Sequence, residues 1–215
     1  MINPKIKYII WDWNGTLIDD AWLFVEIMNE ELKERALPQI NIQDYRQHFT
    51  FPVKKYYERL GFDFKKENFK EVGYHFIQKF KKRKFEAKLF TKTIEILECA
   101  HKCNIAQSIV SAQEHHLLND TIKHYQIDHY FKYISGIEHY YADNKIKIAQ
   151  SIREKIPFSN NQIVMIGDSA HDGEVAAALN IGCILFSGGH YSKARLQNNH
   201  FPIVDNHNAL QDLLF

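Results

Sequence analysis

Five short apolar runs punctuate this chain of 215 residues, at Ile6 to Asp12, Ala106 to Val110, Tyr133 to Ile134, Ile163 to Ile166 and Ile184 to Phe186. Helix-patterned stretches separate the last four. Strands that alternate with helices need crossover connections, and such connections build a parallel sheet with helices packed on it. The spacing breaks once, directly after the first run. There, from Asp19 to about Lys88, the pattern is helical, aromatic and basic. The Asp19-Asp20 pair reads as the N-cap of a helix with apolar positions Val25, Met28 and Leu32, closed by Pro38. A second helix opens at Pro52 and reaches Leu60, with Gly61 as its stop. Val72, Phe76 and Phe80 mark a third. The expected organisation is an α/β core domain from residues 1–18 and 89–215, with a helical domain of residues 19–88 inserted after its first strand.

Composition narrows the function only slightly. The chain is 45% hydrophobic and 25% charged, with a formal net charge of +1. That balance supplies no global attraction for nucleic acid or for an anionic membrane. No apolar run is long enough to span a bilayer, no signal-peptide pattern opens the chain, and three cysteines follow no secreted framework, so a cytoplasmic setting is expected. The charge is unevenly distributed. Residues 20–88 carry 15 Lys+Arg against 11 Asp+Glu, and the remainder 12 against 15. A basic insert over an acidic core suits an anionic substrate held between them, although the run Lys81-Lys82-Arg83-Lys84 reads as a solvated face rather than a binding patch.

Four points of the core carry chemistry, each where a strand ends or a helix begins. They are Asp12, Ser111, Lys145 and the stretch Gly167-Asp168-Ser169-Ala170-His171-Asp172. A parallel sheet brings its carboxyl-terminal strand ends to one edge, where open α/β sheets bind ligands. A carboxylate there can attack a phosphoryl group. A hydroxyl and an ammonium can hold the non-bridging oxygens, and two further carboxylates can hold Mg²⁺, which prefers oxygen ligands. No Gly-x-Ser-x-Gly elbow surrounds Ser111, which argues against a serine triad.

In this order, Asp12-Trp13-Asn14-Gly15-Thr16, Ser111, Lys145 and Gly167-Asp168-x-x-x-Asp172 resemble the four motifs of the haloacid dehalogenase-like hydrolase superfamily. The likeness is greatest to its phosphoglycolate phosphatase-like group. Tyr141-Ala142-Asp143-Asn144-Lys145 and Gly189-His190-Tyr191-Ser192-Lys193 add to it. The resemblance implies a three-layer α/β/α, Rossmann-like core with a mainly parallel sheet, and makes the insert a C1-type helical cap. It implies a Mg²⁺-dependent phosphatase of a small phosphorylated metabolite, phosphoglycolate-like or a sugar phosphate. Asp12 would be the nucleophile, and Asp12, the backbone carbonyl of Asn14, and Asp168 the metal ligands. Asp172 would be a ligand through water or an orienting partner. Ser111 and Lys145 would bind the phosphate, with backbone N–H groups near Trp13, Asn14 and Ala112 completing the cradle.

Asn14 departs from the pattern. Phosphatases of the superfamily usually carry aspartate there, which protonates the leaving alcohol and then activates water. An amide has no proton to exchange. Three readings follow: a slow phosphatase in which water, His171 or His190 handles protons; a persistent aspartyl-phosphate that favours phosphotransfer; or a non-catalytic phospho-ligand binder. The first is preferred, since every other catalytic position holds the expected residue type. A haloalkanoate dehalogenase would have no use for Asp168 and Asp172 as metal ligands. Arg46, Lys54 and Tyr57 are candidate substrate contacts from the insert, and Cys99 and Cys103 are read as buried thiols.

Overall fold

The computed structural model describes residues 6–138 and 145–215. In chain order the elements are β1 (Tyr8–Trp11), β2 (Ile18–Asp19), α1 (Ala21–Glu34), α2 (Ile42–His48), α3 (Val53–Arg59), α4 (Phe69–Arg83), β3 (Lys88–Leu89), α5 (Thr93–Lys102) and β4 (Ala106–Glu114). They continue with α6 (His115–His124), β5 (Tyr133–Ile137), α7 (Lys145–Glu154), β6 (Ile163–Gly167), α8 (Ala170–Leu179), β7 (Gly182–Phe186), α9 (Lys193–Leu196), β8 (Ile203–Val204) and α10 (His207–Leu214).

Six strands form one parallel sheet in the order β5-β4-β1-β6-β7-β8, with helices on both sides. β1 is central, and all four of its residues are buried, as a strand covered on both faces requires. Its polar tips find partners inside the core. The Trp11 indole donates to Gln107 Oε1 at 3.0 Å, and the hydroxyls of Tyr8 and Ser108 meet at 2.5 Å. The strand expected at 106–110 runs on to Glu114, so Ser111 sits inside β4 rather than after it. A register shift between Val110 and Glu114 lets β4 continue beside β5 while Gln113 N–H bonds to Ser111 Oγ at 3.0 Å.

Between β2 and β3 lie the four helices α1 to α4. α1 buries the expected Val25, Met28 and Leu32 together with Leu23 and Ile27, and α4 buries Val72, Phe76 and Phe80 at fourfold spacing. α3 begins after Pro52, and Gly61 follows it at φ +100°. Where the chain enters and leaves this helical layer, β2 and β3 pair antiparallel, Ile18 opposite Leu89 and Asp19 opposite Lys88. Two-residue strands carry no readable period, which is why sequence patterning passes over them. Among the described residues no helix is long and apolar enough to cross a membrane. Cys99 is half-buried and Cys103 exposed, not buried as expected, because this end of α5 leaves the core.

Candidate active site

β1 delivers Asp12 to the carboxyl-terminal edge of the sheet, where its backbone N–H donates to Ile166 O at 2.8 Å. The chain then turns back tightly, with the carbonyl of Trp13 accepting from Thr16, Leu17 and Ile18. Gly15 makes this possible at φ +73°. A Cβ there would be strained, and it would collide with the Asp168 carboxylate and the His190 ring. β6 ends at Gly167, leaving Asp168 at the same edge. Asp172, in the first turn of α8, accepts from the backbone N–H (3.0 Å) and hydroxyl (2.7 Å) of Ser169 in a capping box. Lys145 opens α7 and reaches between two carboxylates, 2.5 Å from Asp12 Oδ1 and 2.6 Å from Asp172 Oδ1.

These groups are buried together. Asp12, Asp168 and Asp172 are 5%, 3% and 0% exposed, and one oxygen of each lies within 4.8 Å of the others. Asp12 and Asp172 thus share one ammonium, while Asp168 accepts from the His190 backbone N–H. Burial pushes Asp12 up to about 6, against the pull of Lys145 and with the repulsion of Asp172. Burial pushes Asp168 up to about 8, with His190 opposing and Asp12 and Asp172 adding to the rise. Burial also acts on Asp172, yet Lys145 and Ser169 hold it below the usual carboxylate range. The Lys145 ammonium is in turn held well above its ordinary value by both aspartates in spite of its burial. A buried set of three carboxylates with a single ammonium among them is a set of hard oxygen donors that could hold a divalent cation such as Mg²⁺.

Asn14 is fixed rather than free. Its Nδ2 donates to Asp20 Oδ2 at 2.5 Å and to Gln113 Oε1 at 2.9 Å, and the Ser111 hydroxyl lies 3.5 Å from its Oδ1. This overturns the N-cap reading of Asp19 and Asp20. Asp19 belongs to β2, and Asp20, fully buried at the cap position, makes no side-chain cap bond. Its carboxylate turns back instead to Asn14, to the N–H of Gly15 (3.0 Å) and to His190 Nε2 (3.1 Å), three donors that α1 cannot match. Sequence reasoning missed Asp20 and Gln113 as parts of this cluster. The Asp19-Asp20 doublet was the available signal, but a capping position explained it too easily.

Asn14, Ser111, Ala112, Lys145, Asp168, His171 and His190 all border, with Asp12, one cavity of about 360 Å³. Asp172 stands behind Lys145. The Trp13 side chain is wholly buried beside Tyr125. His190 spends both ring nitrogens on protein, Nδ1 on the Tyr45 hydroxyl (2.7 Å) and Nε2 on Asp20, and its backbone N–H donates to Asp168. His171 Nδ1 lies 2.9 Å from Glu174, and Nε2 has no hydrogen-bond partner among the described residues. Tyr141 to Asn144, which contributed to the resemblance, fall outside the described residues.

α1 to α4 roof this cavity with aromatic side chains. Phe24 packs edge-on to Phe80 and to His190, at 5.1 and 4.9 Å between ring centres, tying roof to floor. Of the three insert residues singled out from sequence, Lys54 and Tyr57 line the cavity. Arg46 does not. It donates to the carbonyls of Gly189 (2.7 Å) and Gly188 (2.6 Å), fastening α2 to the loop after β7. Part of the insert's basic charge is spent within the insert. Lys79 pairs with Glu30, Glu31 and Glu34, and Arg83 with Glu26, Glu30 and Glu86, along the seam of α1 and α4. Lys84, nearly buried, pairs with Asp120, so the run at 81–84 is not simply solvated.

Residues 9–186 match the sequence model of the haloacid dehalogenase-like hydrolases. No curated protein matches the chain. Among solved structures, protein tyrosine kinase A of Mycobacterium tuberculosis superposes with a TM-score of 0.82 at 18% identity, over 99% of each chain. A predicted phosphatase from Clostridium acetobutylicum gives 0.79 at 20%, over 96% of this chain and 97% of that one. A predicted phosphoglycolate phosphatase from Haemophilus somnus gives 0.72 at 17%, over 97% and 98%. At these identities the likeness is one of fold.

Proposed function

Because the chain belongs to the haloacid dehalogenase-like hydrolase family, we propose that it is a Mg²⁺-dependent phosphatase of small phosphomonoesters, acting through an aspartyl-phosphate on Asp12. The observation that carries this reading is the convergence of Asp12, Asp168 and Asp172 at the floor of a roofed cavity, with the Lys145 ammonium between Asp12 and Asp172. Asp12 and Asp168, with the backbone carbonyl of Asn14, would hold Mg²⁺, and Asp172 would orient Lys145 and a ligating water. When bound, the cation offsets charge on the phosphate and on the carboxylates around it.

Asp12 attacks phosphorus, and the bond from phosphorus to the ester oxygen breaks. Lys145 and Ser111 hold the non-bridging oxygens, and N–H groups near Trp13, Asn14 and Ala112 complete the cradle. Lys145 also keeps Asp12 oriented and, at neutral pH, largely ionised. Water then attacks the phosphoaspartate and releases inorganic phosphate. Residues 19–88 act as the cap that admits substrate and then excludes water, with the Arg46 contacts as its closed fastening.

The experiment is phosphate release from p-nitrophenyl phosphate with Mg²⁺, in wild type and Asp12→Asn. Turnover that disappears with the substitution and with chelator is expected, whereas turnover surviving in Asp12→Asn would overturn the reading. Asn14, pinned as an amide by Asp20 and Gln113, favours a second reading in which the phosphoaspartate is long-lived and passes to another acceptor. A rapid burst of p-nitrophenolate followed by a slow steady state is its signature.

A further inference from the structure

A monoester bound over Asp12 puts its phosphate on the polar floor and its organic part against the roof, and the roof is mainly aromatic, with Tyr45, Tyr56, Tyr57 and Tyr74 among the phenylalanines. Phe24 and Met28 of α1, Phe51 before α3, and Phe69, Phe76 and Ile77 of α4 border the cavity. The cations that border it from the insert are Lys54 and Lys70, both exposed; Lys54 lies 3.8 Å from Glu58 and over the Phe64 ring. The other basic side chains described above serve ion pairs along α1 and α4 or the α2 fastening. A carboxylate or a polyol seated against these rings would regain only part of the hydrogen bonding it loses with its hydration, from groups such as the Tyr56 hydroxyl, unpartnered among the described residues. A cavity of about 360 Å³ is, moreover, within the range of small-molecule sites and leaves room for a ring beyond the phosphate.

The floor imposes a second, independent demand. The side chain that would protonate a departing alkoxide is an amide, held in place by Asp20 and Gln113. An alkoxide is about as basic as hydroxide, whose parent water has a pKa of about 15.7, and needs such a proton. A phenolate, with a parent pKa of about 10, departs without one.

We propose that the substrate is a phosphate monoester of a phenol or of a comparably acidic aromatic hydroxyl, its ring seated among Phe24, Phe51, Phe69 and Phe76 and its phosphate over Asp12. This rests on the phosphatase reading and sharpens it from small phosphomonoesters at large to aryl phosphates. Asp12 forms a bond to phosphorus as the bond from phosphorus to the aryl oxygen breaks. The electron pair leaves on the phenolate, which takes its proton from solvent. Water then adds to phosphorus, Asp12 is released as the carboxylate, and the water proton passes to solvent or to phosphate. The net change is aryl phosphate plus water to phenol plus inorganic phosphate.

The test compares kcat/KM for phenyl, 1-naphthyl and cyclohexyl phosphate with those for phosphoglycolate and glucose 6-phosphate. Phenyl phosphate is expected to exceed cyclohexyl phosphate by about 10²-fold or more, the usual worth of general acid catalysis. In Asn14→Asp that gap should narrow, because cyclohexyl phosphate gains. Phe51→Ala should raise KM for 1-naphthyl phosphate about 10-fold more than for acetyl phosphate, which has a good leaving group but no ring. Phosphoglycolate or glucose 6-phosphate matching the aryl esters overturns this proposal and leaves the phosphatase reading standing. Absence of Asp12-dependent turnover with every ester overturns both.

Discussion

The floor and the roof of the cavity are built on opposite principles. The floor gathers Asp12, Asp168, Asp172 and Lys145 in a buried space where each charge is aimed by a specific partner. The roof gathers phenylalanines that meet each other tilted or edge to face, and it turns Lys79 and Arg83 to ion pairs away from the cavity. Chemistry therefore resides in the half of the site with few tolerable substitutions. Selectivity resides in the half where several apolar side chains can fill the same space. Asn14 is where the two meet: it belongs to the floor by position, and on the proposed reading it would decide which ester the roof can usefully present.

The largest expected effect tests the floor alone. Asp12→Asn, or chelation of the cation, should lower kcat/KM for every ester by about 10³-fold or more, whatever the leaving group. A loss confined to some esters would mean that the floor is not common to them. Next, Asn14→Asp should raise kcat/KM for an alkyl phosphate by about 10²-fold and move an aryl phosphate far less. Equal gains for both would show that the side chain at 14 does not act on the leaving group. Smaller again, Phe69→Ala should raise KM for 1-naphthyl phosphate by about 10-fold with little change in kcat, the mark of binding shared by ground and transition states. A fall in kcat at constant KM would place Phe69 in the chemistry instead.

The smallest effect concerns the support behind the floor. His207 is buried, donates from Nε2 to Thr16 O at 3.0 Å, and stacks on Phe90. Burial, partly offset by that bond, pulls it down to about 4. The unfolded chain takes up this proton near pH 6.5 and the native chain only near 4, so the stability that depends on neutral His207 is present above 6.5 and lost as pH falls towards 4. Asp12 and Asp168 act in the opposite sense, since their raised values favour the protonated native state as pH falls. Both are common to wild type and His207→Gln, so their contributions cancel in the difference. The Tm advantage of wild type over the variant should therefore shrink by several degrees between pH 7 and pH 4.5, since each 1 kcal/mol is worth about 2–4 °C in a chain of this size. A constant difference across that range would be inconsistent with a neutral buried imidazole.

Where local structure depends on contiguous residues, it could be read directly. Asp12 to Leu17 and Gly167 to Asp172 each encode a strand end, a tight turn and a carboxylate within a few positions, and both fold as expected. Val72, Phe76 and Phe80 likewise announced the buried face of α4. Asp20 did not announce itself. As a doublet before a helix it has an ordinary local explanation, and the partners that override it, Gly15, Asn14 and His190, include one 170 positions away. The basic excess of residues 20–88 says less about the site for a related reason: composition counts charges but not the direction in which α1 and α4 turn Lys79 and Arg83.

By itself, then, the chain determined the alternation that builds a parallel sheet, the carboxylates at its edge and the amide at position 14, because these depend on residue type and near spacing. Tertiary structure alone decided what that amide touches, where the cations of the insert go and what covers Asp12. Those are contacts between segments far apart in sequence, chosen by packing and desolvation once the helices close over the sheet.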